Sequence, residues 1–185
     1  MKSIKLQVLA ALLFLLLSGS ANAQGTFDRV FEILQTNCAS CHGGSTPIAY
    51  DLGTTPAETY AALVGVPPLN PSAAAKGHLR VDPGHPYNSF LLKKIGQNLD
   101  GYFDLDMPSE GGVMPQTGAP LSSYEAELIR QWILMGAKET GTQVDTTLIW
   151  DYYNSGGQAS VSYTHLRAHE TSLHLVCRLL LEKNV

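Results

Sequence analysis

Apolar residues recur with a helical period in several short segments of this chain, and loops rich in Gly and Pro separate those segments. The first such segment predicts a helix over residues 26–37, with Phe27, Val30, Phe31 and Leu34 on one face. Charged side chains occupy the opposite face, as expected for a helix that buries one side in a core. This predicted helix leads directly into the sequence Cys-Ala-Ser-Cys-His.

Capping signals mark the beginnings of two further helices. Thr55, Pro56 and Glu58 have the order of an N-cap, a first helical proline and a capping-box glutamate, and they predict a short helix. Ser122 and Glu125 repeat the capping box ahead of the last predicted helix. The apolar stripe of that last helix consists of Leu128, Ile129, Trp132 and Ile133.

A third short helix is predicted at residues 88–95, in front of Gly96. Its apolar residues Phe90, Leu91 and Ile95 are expected to pack toward the centre of the domain, where a bound cofactor would lie. Trp132 and Met135, near the end of the last helix, are both expected to belong to the core. The loop between residues 97 and 120 is long for a compact domain, so it is expected to have a function.

The chain divides into four parts by composition. Residues 1–23 are predicted to be a secretory signal peptide, with lysines, an apolar run and a small-residue cleavage site in that order. Residues 24–140 are predicted to form one domain, and residues 141–159 a linker or the start of a truncated further region. Residues 160–185 resemble the in-frame translation of a sequencing adapter and are interpreted as an artefact. Membrane anchoring is expected only if the signal peptide stays uncleaved.

The charge of the predicted mature part narrows its possible partners. Between residues 24 and 159, fourteen Asp and Glu residues against seven Lys and Arg residues give a formal charge of −7. Nucleic acid and anionic membrane surfaces repel such a chain, so neither is an expected partner. Most of these charges are interpreted as keeping an exported protein soluble.

The sequence Cys38-Ala39-Ser40-Cys41-His42 carries the most specific chemical signal. Two cysteines at this spacing on a helical turn can each form a thioether to a vinyl group of haem, and the adjacent histidine then binds the iron. We therefore predict one covalent haem c, with Cys38 and Cys41 as attachment points and His42 as an iron ligand. Attachment of haem c outside the cytoplasm agrees with the predicted signal peptide.

Three other uses of a Cys-x-x-Cys pair compete with haem attachment. The pair could form a disulfide, act as a redox dithiol or supply half of a zinc site. Zinc would need a second pair of ligands, and the remaining histidines before residue 160 are His78 and His85. A thioredoxin-like dithiol would follow a strand, whereas this pair follows a predicted helix.

A methionine sulfur is the expected sixth ligand of the iron, because thioether ligation raises the haem potential and leaves no open position for catalysis. Met107 and Met114 both lie in the long loop, and each is followed by proline. Met114 is favoured because it lies nearer to the last helix, and Met107 is the alternative. Ligation by His78 or His85 instead would give a bis-histidine iron.

Taken together, several short motifs resemble an exported mono-haem cytochrome c domain, similar to those described as planctomycete-type cytochrome c. The resemblance covers about residues 27–137. It is carried by Phe31, Ile33, the Cys-x-x-Cys-His sequence, Leu63-Val64-Gly65, Arg80-Val81-Asp82-Pro83-Gly84, Ser89-Phe90-Leu91-Leu92-Lys93, Met114-Pro115, Trp132-Ile133 and Gly136-Ala137. The segment between residues 50 and 86 is longer than in a minimal cytochrome c, which is a departure from the pattern.

The resemblance implies an all-α, class I cytochrome c-like fold whose first and last helices cross, with the haem between them. It also implies that Cys38 and Cys41 bind haem, that His42 and Met114 are axial ligands, and that Arg80 meets a haem propionate or makes a surface salt bridge. The expected function is electron transfer to a redox partner protein in the periplasm or outside the cell, without enzymatic activity. The alternative is an electron-transfer module of a longer, truncated redox enzyme.

Overall fold

The computed structural model describes residues 24–44, 50–99, 105–106 and 108–155. The predicted signal peptide, the adapter-like segment and Met107 lie outside the described residues. Regular structure in the described part is helical: α1 Thr26–His42, α2 Pro56–Leu63, α3 Pro71–Ala75, α4 Phe90–Ile95, α5 Ser123–Leu134 and α6 Thr146–Asn154. Short 3₁₀ turns lie at Pro86–Asn88 and Gly96–Asn98.

Strand-like pairing in the described part is limited to two isolated parallel bridges, Val64 with Val81 and Leu79 with Ser89. The predicted all-α class is therefore confirmed at the level of secondary structure. None of the helices in the described ranges is both long and apolar enough to cross a membrane.

The predicted capping signals of α2 and α5 are confirmed. The Thr55 hydroxyl accepts a hydrogen bond from the Glu58 N–H, and the Thr55 N–H donates to the Glu58 carboxylate. Ser122 and Glu125 make the same reciprocal pair at the start of α5. Each capping box satisfies backbone N–H groups that a helix end leaves without a partner, which is why these starts are readable from sequence.

Helices α1, α3 and α6 differ from the prediction, and α6 was not predicted at all. The first helix does not stop at residue 37 but continues through His42, because no helix breaker precedes Gly43 and Gly44. Gly44 has a φ of 74°, a left-handed conformation that ends the run. The short helix α3 was not predicted, although Asn70 caps it and Pro71 is its first residue.

The core lies between α1 and α5, which pack against each other. Phe27 stacks on Trp132 with ring centroids 5.1 Å apart, and both side chains are fully buried. Helix α6 packs on α5 and buries Ile149 in the same core, so the core continues past residue 140. The segment after residue 140 thus contains a helix that belongs to this core.

The prediction that Met135 belongs to the core is wrong. Its side chain is 46% exposed, whereas Trp132 is buried as predicted and donates its indole N–H to the Lys138 carbonyl. The helix ends at Leu134, and Gly136 turns the chain with a φ of 94°. Met135 therefore leaves the buried face even though its spacing from Leu128 fits that face.

Candidate functional site

A cleft of about 600 Å³ opens between the end of α1, helix α4 and the loop after residue 108. Its volume lies in the range of sites that bind small molecules and cofactors. The predicted site residues that line it are Cys38, Cys41, His42, Arg80 and Met114. Its apolar walls are formed by Leu34, Leu52, Phe90, Leu91 and Ile95. Residues up to 83 positions apart in the sequence thus share one cavity.

Helix α1 presents the two cysteines to this cleft. Cys38 and Cys41 are three residues apart within the helix, so both lie on the same side of it. Neither cysteine forms a disulfide within the described residues, and Cys38 is half-buried whereas Cys41 is exposed. The backbone N–H of Leu52 donates to the carbonyl of His42 at the end of the helix, which ties the following segment to the cleft wall.

The orientation of His42 is set by Tyr50. The Nδ1 atom of His42 lies 3.1 Å from the Tyr50 carbonyl oxygen, and the two rings are 4.8 Å apart. A carbonyl oxygen only accepts hydrogen bonds, so Nδ1 must carry a proton. In the neutral imidazole, Nε2 then holds the free lone pair, which is the arrangement that a metal-binding histidine requires.

Burial changes the acidity of two groups at the cleft. It raises the pKa of the Cys38 thiol to about 11, with a smaller contribution from Cys41. Burial, followed by the nearby Cys38, raises the pKa of Tyr50 to about 12. Both groups are neutral at pH 7. A redox dithiol needs the opposite, a thiol with a lowered pKa, so the environment of Cys38 does not favour that use.

Arg80 contributes a positive charge to the cleft wall. Its Nη1 donates to the Ala62 carbonyl at 2.7 Å, and the guanidinium lies 4.3 Å from the centroid of the Tyr50 ring. Its Nε is buried and has no hydrogen-bond partner among the described residues. No carboxylate in the described ranges forms an ion pair with it. A buried donor without a partner is rare in proteins and favours an acceptor supplied by a ligand.

Met114 reaches the cleft from a loop without helix or strand. Its backbone N–H donates to the Lys94 carbonyl at 2.7 Å, which attaches the loop to the end of α4. Its side chain is partly buried against the core. The Met114–Pro115 peptide bond is cis. Met107, the alternative ligand, lies outside the described residues.

The two histidines considered as alternative ligands lie elsewhere. His78 Nδ1 is 2.9 Å from the Asn88 amide oxygen, and the ring stacks on Phe90. The His85 side chain is 72% exposed and lies 3.4 Å from Asp82. Neither histidine lines the cleft.

Three titratable side chains of the cleft were not singled out from the sequence: Tyr50, Lys94 and Glu110. Glu110 is fully buried, although it lies in a loop rich in Gly and Pro where charged residues are normally exposed. Lys94 lies within the helix predicted at residues 88–95, and the sequence assigned it no role. No local pattern distinguishes these residues from ordinary surface charges, because their burial depends on contacts between distant segments.

The side chains at the cleft suit a largely apolar ligand that also carries groups able to accept hydrogen bonds. They supply one imidazole nitrogen, one thioether sulfur, two thiols, the Lys94 ammonium, the Glu110 carboxylate and the Arg80 guanidinium with its unpartnered donor, within largely apolar walls. No group of three or more His, Cys, Asp or Glu side chains in the described part could hold a metal ion. Comparison of the chain with protein-family models, with curated proteins and with solved structures found no match in any of the three.

Proposed function

We propose that this cleft holds one haem c and that the protein transfers single electrons outside the cytoplasm. One observation carries the proposal: the Cys-x-x-Cys-His sequence, Met114 and Arg80 line the same cleft although they come from three separate segments. A covalently attached haem c uses two cysteine thiols, which become thioethers, and two iron ligands. Its anionic propionates favour a nearby positive charge. Each requirement has a candidate side chain in the cleft.

The residues have distinct roles in this proposal. Cys38 and Cys41 would attach the haem, and His42, through Nε2, and Met114 would bind its iron. Bound haem would supply a one-electron couple between Fe(III) and Fe(II). With His42 and Met114 both bound to the iron, no position would be left for a substrate, and the expected role is electron transfer without catalysis.

The remaining donors of Arg80 bind a propionate in this proposal. Its Nη1 is occupied by the Ala62 carbonyl and its face by Tyr50, so the guanidinium is held in place before any ligand arrives. The unpartnered Nε supports an interaction with an anion in the cleft. Because Tyr50 contacts both His42 and Arg80, it would link the orientation of the His42 imidazole to that of the Arg80 guanidinium.

The proposed fold is a class I cytochrome c fold. Its support is that α1, which ends in the Cys-x-x-Cys-His sequence, packs on α5, while the cleft opens beside them. The proposed partner is a redox protein in the periplasm or outside the cell. Because the mature part is acidic, a partner with a basic contact surface would associate faster at low ionic strength. The same site would serve as the electron-transfer module of a longer redox enzyme.

Covalent attachment is the test of the cofactor. Protein expressed in a host that matures haem c should keep its haem after denaturation, and its pyridine haemochrome spectrum should be that of a haem with two thioethers. The Cys38→Ala and Cys41→Ala variants should each show the shift of a single remaining vinyl group. Haem that is extracted from the wild type by acidified solvent would contradict the proposal.

The sixth ligand is tested with three methionine variants. Met114→Ala should abolish the weak near-infrared charge-transfer band of sulfur-ligated ferric haem and lower the midpoint potential, because thioether ligation raises it. Met107→Ala should keep both, and Met135→Ala is the matched control because that side chain is exposed. Loss of the band in Met107→Ala, with retention in Met114→Ala, would transfer the role to Met107.

A further inference from the structure

The loop that carries Met114 has no regular structure of its own between residues 108 and 120. Such a segment holds a ligand in place only if other contacts restrict it. We propose that Glu110 is a positioning residue that, together with Lys76 and Lys94, fixes this loop so that Met114 points into the cleft. This inference rests on the proposed function, since it concerns the sixth ligand.

Glu110 is the centre of these contacts because both oxygens of its buried carboxylate are occupied. Its Oε1 lies 3.0 Å from Lys76 Nζ, and its Oε2 accepts a hydrogen bond from the Asp106 N–H at 2.9 Å. His78 Nε2 lies 3.8 Å from Oε1. An ionised carboxylate is costly to bury unless it is paired and hydrogen-bonded. The loop is therefore stable in this arrangement only while Glu110 keeps these partners.

Lys94 holds the same loop from the other side. Its Nζ donates to the carbonyls of Glu110 and Gly112, and its own carbonyl accepts from the Met114 N–H. Residues 110, 112 and 114 are thus all tied to one residue at the end of α4. Since Lys76 follows α3 and Lys94 belongs to α4, the two lysines connect the methionine loop to two separate helices.

Two neighbouring carboxylates provide an internal comparison. Lys76 Nζ contacts both Asp106 at 2.7 Å and Glu110 at 3.0 Å. The Asp106 side chain is 63% exposed, whereas that of Glu110 is fully buried. An exposed ion pair contributes little, because water solvates either charge nearly as well. Removing the charge of Glu110 should therefore loosen the loop, and removing that of Asp106 should not.

The test compares Glu110→Gln with Asp106→Asn in the haem-loaded protein. Three measurements are made at neutral pH: the near-infrared sulfur band, the midpoint potential and the exchange rate of the Met114 amide hydrogen. Glu110→Gln should weaken the band, lower the potential and speed the amide exchange by at least about tenfold. Asp106→Asn should leave all three close to wild type. Lys76→Gln, a change at a partly exposed residue, should act in the same direction as Glu110→Gln.

A general loss of stability is separated from loss of positioning with Thr55→Ala. This variant weakens the cap of α2 at a residue that lies far from the methionine loop in the sequence and does not line the cleft, and it should keep the sulfur band. If Glu110→Gln and Lys76→Gln keep the band, the potential and the protected Met114 amide, the positioning role is overturned while the proposed function stands. If wild-type protein keeps covalent haem but shows no sulfur band, both the Met114 ligation and this inference are overturned. If it keeps no haem after denaturation, the proposed function itself fails.

Discussion

The helical frame, formed by α1, α5 and α6, and the methionine loop at residues 108–120 are held by different kinds of interaction. In the frame, Phe27, Trp132 and Ile149 are buried among other apolar side chains. In the methionine loop, the most deeply buried side chain is the carboxylate of Glu110, and the contacts are hydrogen bonds and ion pairs. Dispersion forces are spread over many atom pairs, whereas the loop depends on a few directional contacts. Substitutions in the frame should therefore lower stability in proportion to the side-chain volume removed. In the loop, the loss of a single hydrogen-bonding or charged group should be enough to lower stability.

The largest loss of stability is expected for Trp132→Ala in the helical frame. The side chain is fully buried, stacks on Phe27 and donates its indole N–H to the Lys138 carbonyl. Removing it should lower the free energy of unfolding by about 3–5 kcal/mol, measured by urea denaturation. Trp150→Ala is the matched control, because Trp150 is 53% exposed, and it should cost much less. Equal losses in the two variants would contradict the assignment of the core to the α1–α5 interface.

Loss of the buried charge by Glu110→Gln should rank second. A buried, hydrogen-bonded charged group contributes about 1–3 kcal/mol to the free energy of unfolding, and Glu110→Gln removes the charge on which this contribution depends.

The difference in the free energy of unfolding between wild type and Glu110→Gln should also depend on pH. Burial alone would raise the pKa of Glu110, but the Asp106 N–H and Lys76 outweigh burial and hold the pKa below its ordinary value of 4.5.

The sign of this pH dependence follows from the lowered pKa. The contribution of Glu110 is fully present above pH 4.5 and is lost as the pH falls through the lowered folded-state pKa. Hydrogen bonds with Asp106 and Glu110 raise the pKa of Lys76, which therefore stays charged over this range. The charged or titratable groups around the Glu110 carboxylate are Lys76, His78, Lys93, Lys94 and Asp106. The difference in the free energy of unfolding between the two proteins should narrow as the pH falls below 4.5, and a difference that stays constant would refute the assignment.

A smaller loss of stability, about 1 kcal/mol, is expected for Ser122→Ala. The Ser122 side chain accepts from the Glu125 N–H and begins α5, so its loss leaves a backbone donor without a partner. Ser123→Ala at the next position is the control and should change the free energy of unfolding by less than about 0.5 kcal/mol. A cost for Ser123→Ala as large as that for Ser122→Ala would mean that the cap is not what stabilises the start of α5.

The smallest loss of stability is expected for Met135→Ala, which tests the correction made by the structure. A methionine in the core would cost about 2–5 kcal/mol on truncation to alanine. Because Met135 is 46% exposed, the expected change in the free energy of unfolding is below about 0.5 kcal/mol. A loss above 2 kcal/mol in thermal or urea unfolding would return Met135 to the helical frame.

The helical frame was largely predictable from the sequence, and its errors have local causes. The helical period located α1, and the period together with the capping box located α5, because both signals act within one or two turns of the chain. The extension of α1 to His42 was missed because an apolar stripe does not mark where a helix ends. Helix α6 was not predicted, because its apolar stripe spans only nine residues and another helix covers it.

The candidate site was predictable in part, because some of its residues are close neighbours in the sequence. Cys38, Cys41 and His42 form one helical turn, so their chemistry is readable from spacing alone. The proline after Met114 and the apolar stripe of α5 are likewise properties of neighbouring residues. Sequence therefore determined which side chains have the chemistry to bind a haem and which helix begins where.

Only the tertiary structure decided which distant side chains share the cleft. The pairing of Lys76 with Glu110 joins residues 34 positions apart, and the unpartnered Nε of Arg80 appears only once Ala62 and Tyr50 surround that guanidinium. No sequence pattern indicates these contacts, because the free energy of a buried charge depends on every group around it. Local geometry follows from covalent neighbours, whereas burial and charge compensation arise only when separate segments meet.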